Sequence, residues 1–332
     1  MSQFIFTCQP ESTDLALGEL RRADSGVYVS KWVEPGIGIA VSGLGFRSFS
    51  QALRAAAPVF TRHICPADME FSSGELSSAA EKIKNLLPPD KTFSVQVRAF
   101  PGKNADDRRA ASETIGAALE SFGLCSDRAE PAAIVSVMLG ETVYAGVSSP
   151  EDNLSSWPGG MRRFARTEST ASRAEFKLLE ALELFGEGLP PQGKALDLGA
   201  APGGWTRVLA EKGFSVTAVD PAELSPDVLR LPGVTHFRGT SQQFLETSRG
   251  QFDVVVNDMK LGVPESARVM AECAGLLAPG GLAVMTFKLK PKKWTAQINA
   301  GLSVLERAYS LVGLRQLFHN RSEVTAVLTP RL

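Results

Sequence analysis

The chain has 332 residues, 44% of them hydrophobic and 21% charged, with a formal net charge of −1. The length calls for two or three domains, and the composition argues against a disordered, fibrous or membrane protein. A near-neutral total gives nucleic acid no overall electrostatic pull, so any such contact has to come from local basic clusters.

In chain order, the first residues, Met1 to Cys8, lack a basic stretch and run into Pro10 and Glu11, which does not suit a signal peptide. Alternating and 3.6-period apolar patterns predict a strand over Gln3–Cys8, a helix over Glu11–Arg22, strands over Val27–Val33 and Gly36–Val41, and a helix over Ser48–Ala57. This is the start of a β-α-β-β-α-β order, a small α+β unit over residues 1–72. A second unit, 73–148, is predicted with helices Ser77–Leu87 and Arg109–Phe122 and strands Phe93–Phe100, Ala133–Leu139 and Thr142–Val147. Residues 149–171, rich in Ser, Pro, Gly and Arg without an apolar period, are expected to be a linker or binding loop. Cys8, Cys65, Cys125 and Cys273 lie far apart with no C-x-x-C pair or histidine at metal spacing. Buried thiols in a cytoplasmic protein are expected, with no metal and no disulfide.

From Ser172 the pattern becomes strict strand–helix alternation, with strands near Ala195–Asp197, Ser215–Val219, Val234–Arg238, Val254–Asn257 and Gly281–Phe287. Near-continuous apolar runs such as Val254-Val255-Val256 predict a parallel sheet buried on both faces. The last segments, Leu314–Phe318 and Val324–Leu328, are too close for a helical crossover and predict an antiparallel hairpin. The fold class expected for 172–332 is α/β, doubly wound, a mostly parallel sheet ending in that hairpin.

Asp197-Leu198-Gly199-Ala200-Ala201-Pro202-Gly203-Gly204-Trp205 ends the first of these strands, turns on glycines and opens a helix, the place where such sheets bind a cofactor. Asp220 closes the next strand, where an acid can take the ribose hydroxyls of either adenosine cofactor. Gly199-x-Ala201-x-x-Gly204 is also a degenerate dinucleotide fingerprint, but Pro202 removes an N–H that would face a pyrophosphate. An NAD-linked oxidoreductase is thus the weaker alternative.

The whole string resembles the FtsJ class of RNA ribose 2′-O-methyltransferases, class I (Rossmann-like) enzymes dependent on S-adenosylmethionine. Ser172-Arg173-Ala174-Glu175-Phe176-Lys177-Leu178-Leu179-Glu180 resembles the family segment that supplies the first member of a Lys-Asp-Lys-Glu tetrad; Ser172 and Glu175 also fit a capping box. Asp258, after the buried strand ending at Asn257, Lys288 at the end of the next, and Glu323 at the start of the last arm match the other members. The resemblance implies that Lys288 is the base, that Lys177 and Asp258 orient the hydroxyl and tune the base, and that Glu323 supports the lysines. A second cation and burial can lower a lysine toward the operating range. It also implies a donor site of Ala174, Asp197, Gly199 to Trp205, Asp220, Thr240 and Asp258, with S-adenosylhomocysteine as product and no metal. Ala174 stands where a serine near the donor is expected, and Thr240 where an acidic residue would meet adenine.

The first 148 residues resemble a ferredoxin-like unit followed by a THUMP-like RNA-binding domain, an order found in large-subunit rRNA methyltransferases. This implies RNA as the partner, a cytidine of 23S rRNA as the target before assembly is complete, no membrane and no obligate protein partner. Arg162, Arg163, Arg166 and Arg173, with Lys290, Lys292 and Lys293, are the candidate RNA-binding cations. Another RNA such as tRNA, or a catalytically silent RNA-binding or ribosome-assembly role, are the remaining readings.

Overall fold

Strand β1 (Ser2–Thr7) is buried from Phe4 to Thr7 because both of its faces are covered. It is followed by α1 (Thr13–Ala23), β2 (Tyr28–Glu34), β3 (Ile37–Ser42), α2 (Phe46–Ala55) and β4 (His63–Pro66), in an antiparallel sheet of order β2-β3-β1-β4. Phe4 packs on Phe49 of α2, ring centroids 4.4 Å apart. Ile5, on the opposite face, joins Phe100, Met138 and Tyr144 in a shared core. Those partners belong to a second sheet built from β5 (Met69–Ser72), β6 (Phe93–Ala99), β7 (Ala133–Leu139) and β8 (Thr142–Ser148), order β5-β8-β7-β6, with helices α3 (Leu76–Lys84) and α4 (Ala105–Ser121). Every residue of β7 is buried, as a central strand covered on both sides requires. The short strands β4 and β5 carry no alternation long enough to have been predicted.

The computed structural model describes residues 1–164 and 173–331, in two compact units divided after Arg163. The segment expected to be a linker is, over its first half, part of the first unit. Ser50 donates to the carbonyl of Asp152, Thr7 Oγ1 donates to the carbonyl of Gly159 at 3.1 Å, and the Arg98 guanidinium donates to the same carbonyl. Polar side chains from the sheets, which the composition of the segment does not reveal, hold it. Arg166, the cap at Ser172 and the side chain of Arg173 lie outside the described residues.

The second unit begins with α5 (Arg173–Phe185) and alternates through β9 (Gly193–Leu198), α6 (Gly204–Glu211), β10 (Phe214–Val219), α7 (Pro226–Leu229), β11 (Val234–Phe237), α8 (Ser241–Thr247), β12 (Phe252–Asn257), α9 (Val263–Glu272), β13 (Leu277–Lys288) and α10 (Trp294–Leu305) to the pair β14 (Tyr309–Arg315) and β15 (Glu323–Pro330). The sheet order is β11-β10-β9-β12-β13-β15-β14, parallel from β11 to β13 and antiparallel at β15 and β14. This is the predicted α/β class with its antiparallel end. Strand β14 starts and stops earlier than the apolar pattern suggests. Tyr309 anchors it, with its hydroxyl donating to Met270 O at 2.8 Å, and the chain then leaves the sheet at Gln316. Val254, Val255 and Val256 are fully buried, the sandwiching that a parallel sheet imposes. Leu198 pairs with Val219 on one side and Asn257 on the other, so the carboxyl ends of β9, β10 and β12 form one rim. Among the described residues no helix is long and apolar enough to cross a membrane.

Candidate active site

The turn after β9 is held by its own backbone. Gly199 N and Ala200 N both donate to Val219 O, at 2.9 and 3.2 Å. Ala201 N donates to Asp220 Oδ2 at 3.0 Å, and Pro202, joined by a cis peptide bond, has no N–H. From Gly199 to Pro202 three amides are thus bonded internally and the fourth position has no N–H, so this stretch offers none to a pyrophosphate, which disfavours the NAD reading. Gly203 caps α6 at φ 112°, and a Cβ there would lie 2.9 Å from Val228 Cγ1, so two constraints require glycine. A Cβ on Gly199 would run into the Met259 side chain.

Asp197 is buried, its Oδ2 accepting from Thr206 Oγ1 at 2.6 Å. Burial raises its pKa to about 7, with repulsion from Asp258 and Asp220 adding to the rise against the Thr206 bond. Asp220 holds the turn through Ala201 and accepts from Ala222 N at 2.8 Å. The Trp205 indole is buried and donates to Ala174 O at 2.6 Å, so its side chain fastens α6 to α5. Thr240 is exposed, and its hydroxyl and amide close a capping box with Gln243. The position expected to meet adenine also caps the start of α8.

At the same rim, four side chains meet, from α5, the turn after β12, β13 and β15. Lys177 Nζ lies 2.7 Å from Glu323 Oε2 and 3.2 Å from Asp258 Oδ2. Lys288 Nζ lies 2.9 Å from Glu323 Oε1 and also contacts Asp258 Oδ1. Each carboxylate touches both lysines, giving a closed ring of alternating charge. Lys288 and Glu323 are register partners across β13 and β15, so the antiparallel turn of the last strand brings its first residue to the carboxyl ends of the parallel ones. The lysines pull the Asp258 carboxyl below its ordinary value in spite of its burial. Burial opposes the charge on Lys177, but Asp258 and Glu323 outweigh it and raise its pKa. Lys177 is thereby held in its charged form, because two anions stand between it and the other cation.

Thr286, two residues before Lys288 and so on the same face of β13, is fully buried and donates its hydroxyl to Asp258 Oδ1. The period of two along the strand carried that signal. Glu180 accepts from Phe318 N at 2.8 Å and His319 N at 3.1 Å, fastening the loop before β15 to α5. No sequence signal distinguishes it from a solvated helix glutamate. The exposed Lys290, Lys292 and Lys293 follow Lys288, the last two in the left-handed region at φ 68° and 57°, where non-glycine residues are uncommon. Gln297 accepts from Lys290 N at 3.0 Å and donates to Lys292 O at 2.9 Å, holding that loop. Arg162 and Arg163 lie in the first unit.

Residues 170–295 match the family model described as FtsJ-like methyltransferase. Among curated proteins, ribosomal RNA large subunit methyltransferase M from Thauera aminoaromatica is 29% identical over 327 residues, covering 92% of this chain and 86% of that protein. The protein of the same name from Methylococcus capsulatus is 35% identical over 197 residues, covering 56% of this chain and 54% of that one. A third from Cellvibrio japonicus is 33% identical over 219 residues, 61% of each. These last two alignments span little more than half of the relatives they match. The matched span contains the donor turn, Lys177, Asp258 and Lys288, and the chain therefore carries an FtsJ-like methyltransferase domain.

Proposed function

We propose that the protein transfers a methyl group from S-adenosylmethionine to a ribose 2′-hydroxyl of large-subunit ribosomal RNA, a cytidine of 23S rRNA, in the cytoplasm, before the particle is complete and without an obligate protein partner. The observation that carries this reading is the closed Lys177–Asp258–Lys288–Glu323 ring beside the donor turn. The likeness to curated rRNA methyltransferases supports the choice of RNA.

A ribose hydroxyl is too weak an acid to ionise at neutral pH, so its transfer needs a proton acceptor and positive charge beside the developing alkoxide. When bound, S-adenosylmethionine supplies an electrophilic methyl group. Lys177, with 11% of its side chain exposed and its pKa raised by both carboxylates, stays protonated and supplies the positive charge. Lys288, with 21% exposed, is the lysine more open to solvent: it gives up its own proton to water first, and as the neutral amine takes the hydroxyl proton when the methyl leaves the sulfonium. Asp258 and Glu323 hold the two nitrogens at fixed positions. Asp197 and Asp220 shape the donor turn with Gly199 to Gly204. Residues 1–72 act as a ferredoxin-like unit and 73–148 as a THUMP-like RNA-binding domain, with Arg162, Arg163, Arg166, Arg173, Lys290, Lys292 and Lys293 meeting phosphates.

The test is methyl transfer to 23S rRNA by Lys288→Ala and Lys288→Arg. Loss of a positioned base costs about 10²- to 10⁴-fold, and that fall is expected in both variants with S-adenosylhomocysteine affinity retained. Wild-type turnover in either variant sinks the base assignment. Mass-spectrometric mapping of rRNA from cells with and without the gene checks the target, since one ribose methyl has to disappear.

A further inference from the structure

In the first unit, a cavity of about 230 Å³ is lined by Arg98, Arg108, Arg162 and Arg163 together with Trp157, and among the described residues no carboxylate lines it. The four cations come from β6, from α4 and from the segment after β8. Their placement is built rather than incidental. The Arg98 guanidinium donates to Gly159 O. Gly159 is in the left-handed region at φ 56°, and a Cβ there would collide with the Arg98 stem. Only glycine lets the chain lie flat on the arginine and fix its head. The Arg162 guanidinium sits 5.7 Å from the centre of the Trp157 ring.

Gathering such cations is electrostatically costly. Burial pushes the Arg98 pKa down to about 10, with Arg163 adding repulsion. Burial, and then Arg108, lower that of Arg163. Partly desolvated cations that repel one another gain most from an anion entering among them, and planar guanidiniums match the paired oxygens of a phosphodiester. An aromatic ring beside a cationic groove is also how proteins hold single strands, phosphate on the cations and base on the ring.

We propose that this cavity is a subsite for a backbone phosphate of single-stranded RNA, with Trp157 as the platform for the adjoining base. The inference rests on RNA being the substrate, and its test avoids methyl transfer so that the two can fail separately. The full chain is titrated onto a fluorescein-labelled single-stranded RNA of about a dozen cytidines, read by anisotropy over a range of salt concentrations. The double variant Arg108→Ala/Arg163→Ala is expected to bind about tenfold more weakly, with a salt slope shallower by about 0.7 for each phosphate no longer neutralised. S-adenosylhomocysteine affinity, measured by calorimetry, stays at the wild-type value and reports that the second unit is intact. Arg108→Lys/Arg163→Lys is expected to restore the salt slope but only part of the affinity, since an ammonium keeps the charge and lacks the fork. The proposal is overturned if the alanine variant binds with wild-type affinity and slope, or if the wild-type chain does not bind the oligonucleotide at low salt. It is equally overturned if a glutamate-rich peptide takes the cavity in preference to the RNA. A chain that binds RNA here but methylates no rRNA refutes the proposed function and leaves the subsite standing.

Discussion

Asp197 shows how one buried group can give the fold a pH dependence. Its carboxyl is raised to about 7 in the folded chain, chiefly by burial, from an ordinary value of 3.8. The folded state therefore binds its proton more tightly than the unfolded state does. Stability from this group is fully present below about pH 4 and is lost as pH rises toward 7. Asp197→Asn keeps an oxygen to accept from Thr206 and cannot ionise. Thermal unfolding followed between pH 5 and 8 is expected to fall with pH in the wild type by up to about 1.4 kcal/mol per unit from this group, and to be flatter in the variant. Equal slopes would refute the assignment. The ring behaves oppositely: Asp258 is lowered, so its contribution appears above about pH 4, and Lys177 is raised, so its contribution persists until pH climbs past its ordinary 10.5. At this scale residue identity was legible and environment was not. Lys177, Asp258, Lys288 and Glu323 could be named because their segments resemble those of a known family, whereas the internal bonding of Asp197 and the role of Thr286 depend on partners 9 and 28 residues away.

Among the elements, α5 and α6 depend on each other. Trp205, in the first turn of α6, donates to Ala174 O at the start of α5, one turn before Lys177. Replacing it by phenylalanine keeps most of the apolar packing and deletes one buried hydrogen bond, a loss of about 1 kcal/mol. Methyl transfer by Trp205→Phe is expected to fall by more than that stability loss accounts for, through kcat rather than donor affinity, because the helix that aims Lys177 is loosened. A variant whose kcat matches wild type while its melting temperature drops would show that α6 merely packs. The strands and helices of this unit were legible because burial on both faces writes continuous apolar runs into Val254–Val256 and its neighbours. The loop between β14 and β15 was not, because Glu180 and Asn320 order it through polar contacts that leave no periodicity.

On the scale of the whole molecule, each unit has its own buried core, and the donor turn and ring belong to the second alone. A ligand held there stabilises that unit by RT ln(1 + [L]/Kd). In calorimetry, S-adenosylhomocysteine at about a hundred times its Kd is expected to stabilise the unfolding of the second unit by about 2.7 kcal/mol. Proteolysis sites in the first unit should be cut at an unchanged rate. Uniform protection of both would show that the units unfold as one. The division into units was visible in the change from mixed to strictly alternating elements near residue 172. Where the first unit ends was not, because glycines and prolines that suggest a free connector are pinned by Thr7, Ser50 and Arg98. The pairing of Lys288 with Glu323 also acts as a proofreading step on the finished chain. A slip of one residue between β13 and β15 would send Glu323 to the opposite face of the sheet, leaving both lysines short of an anion.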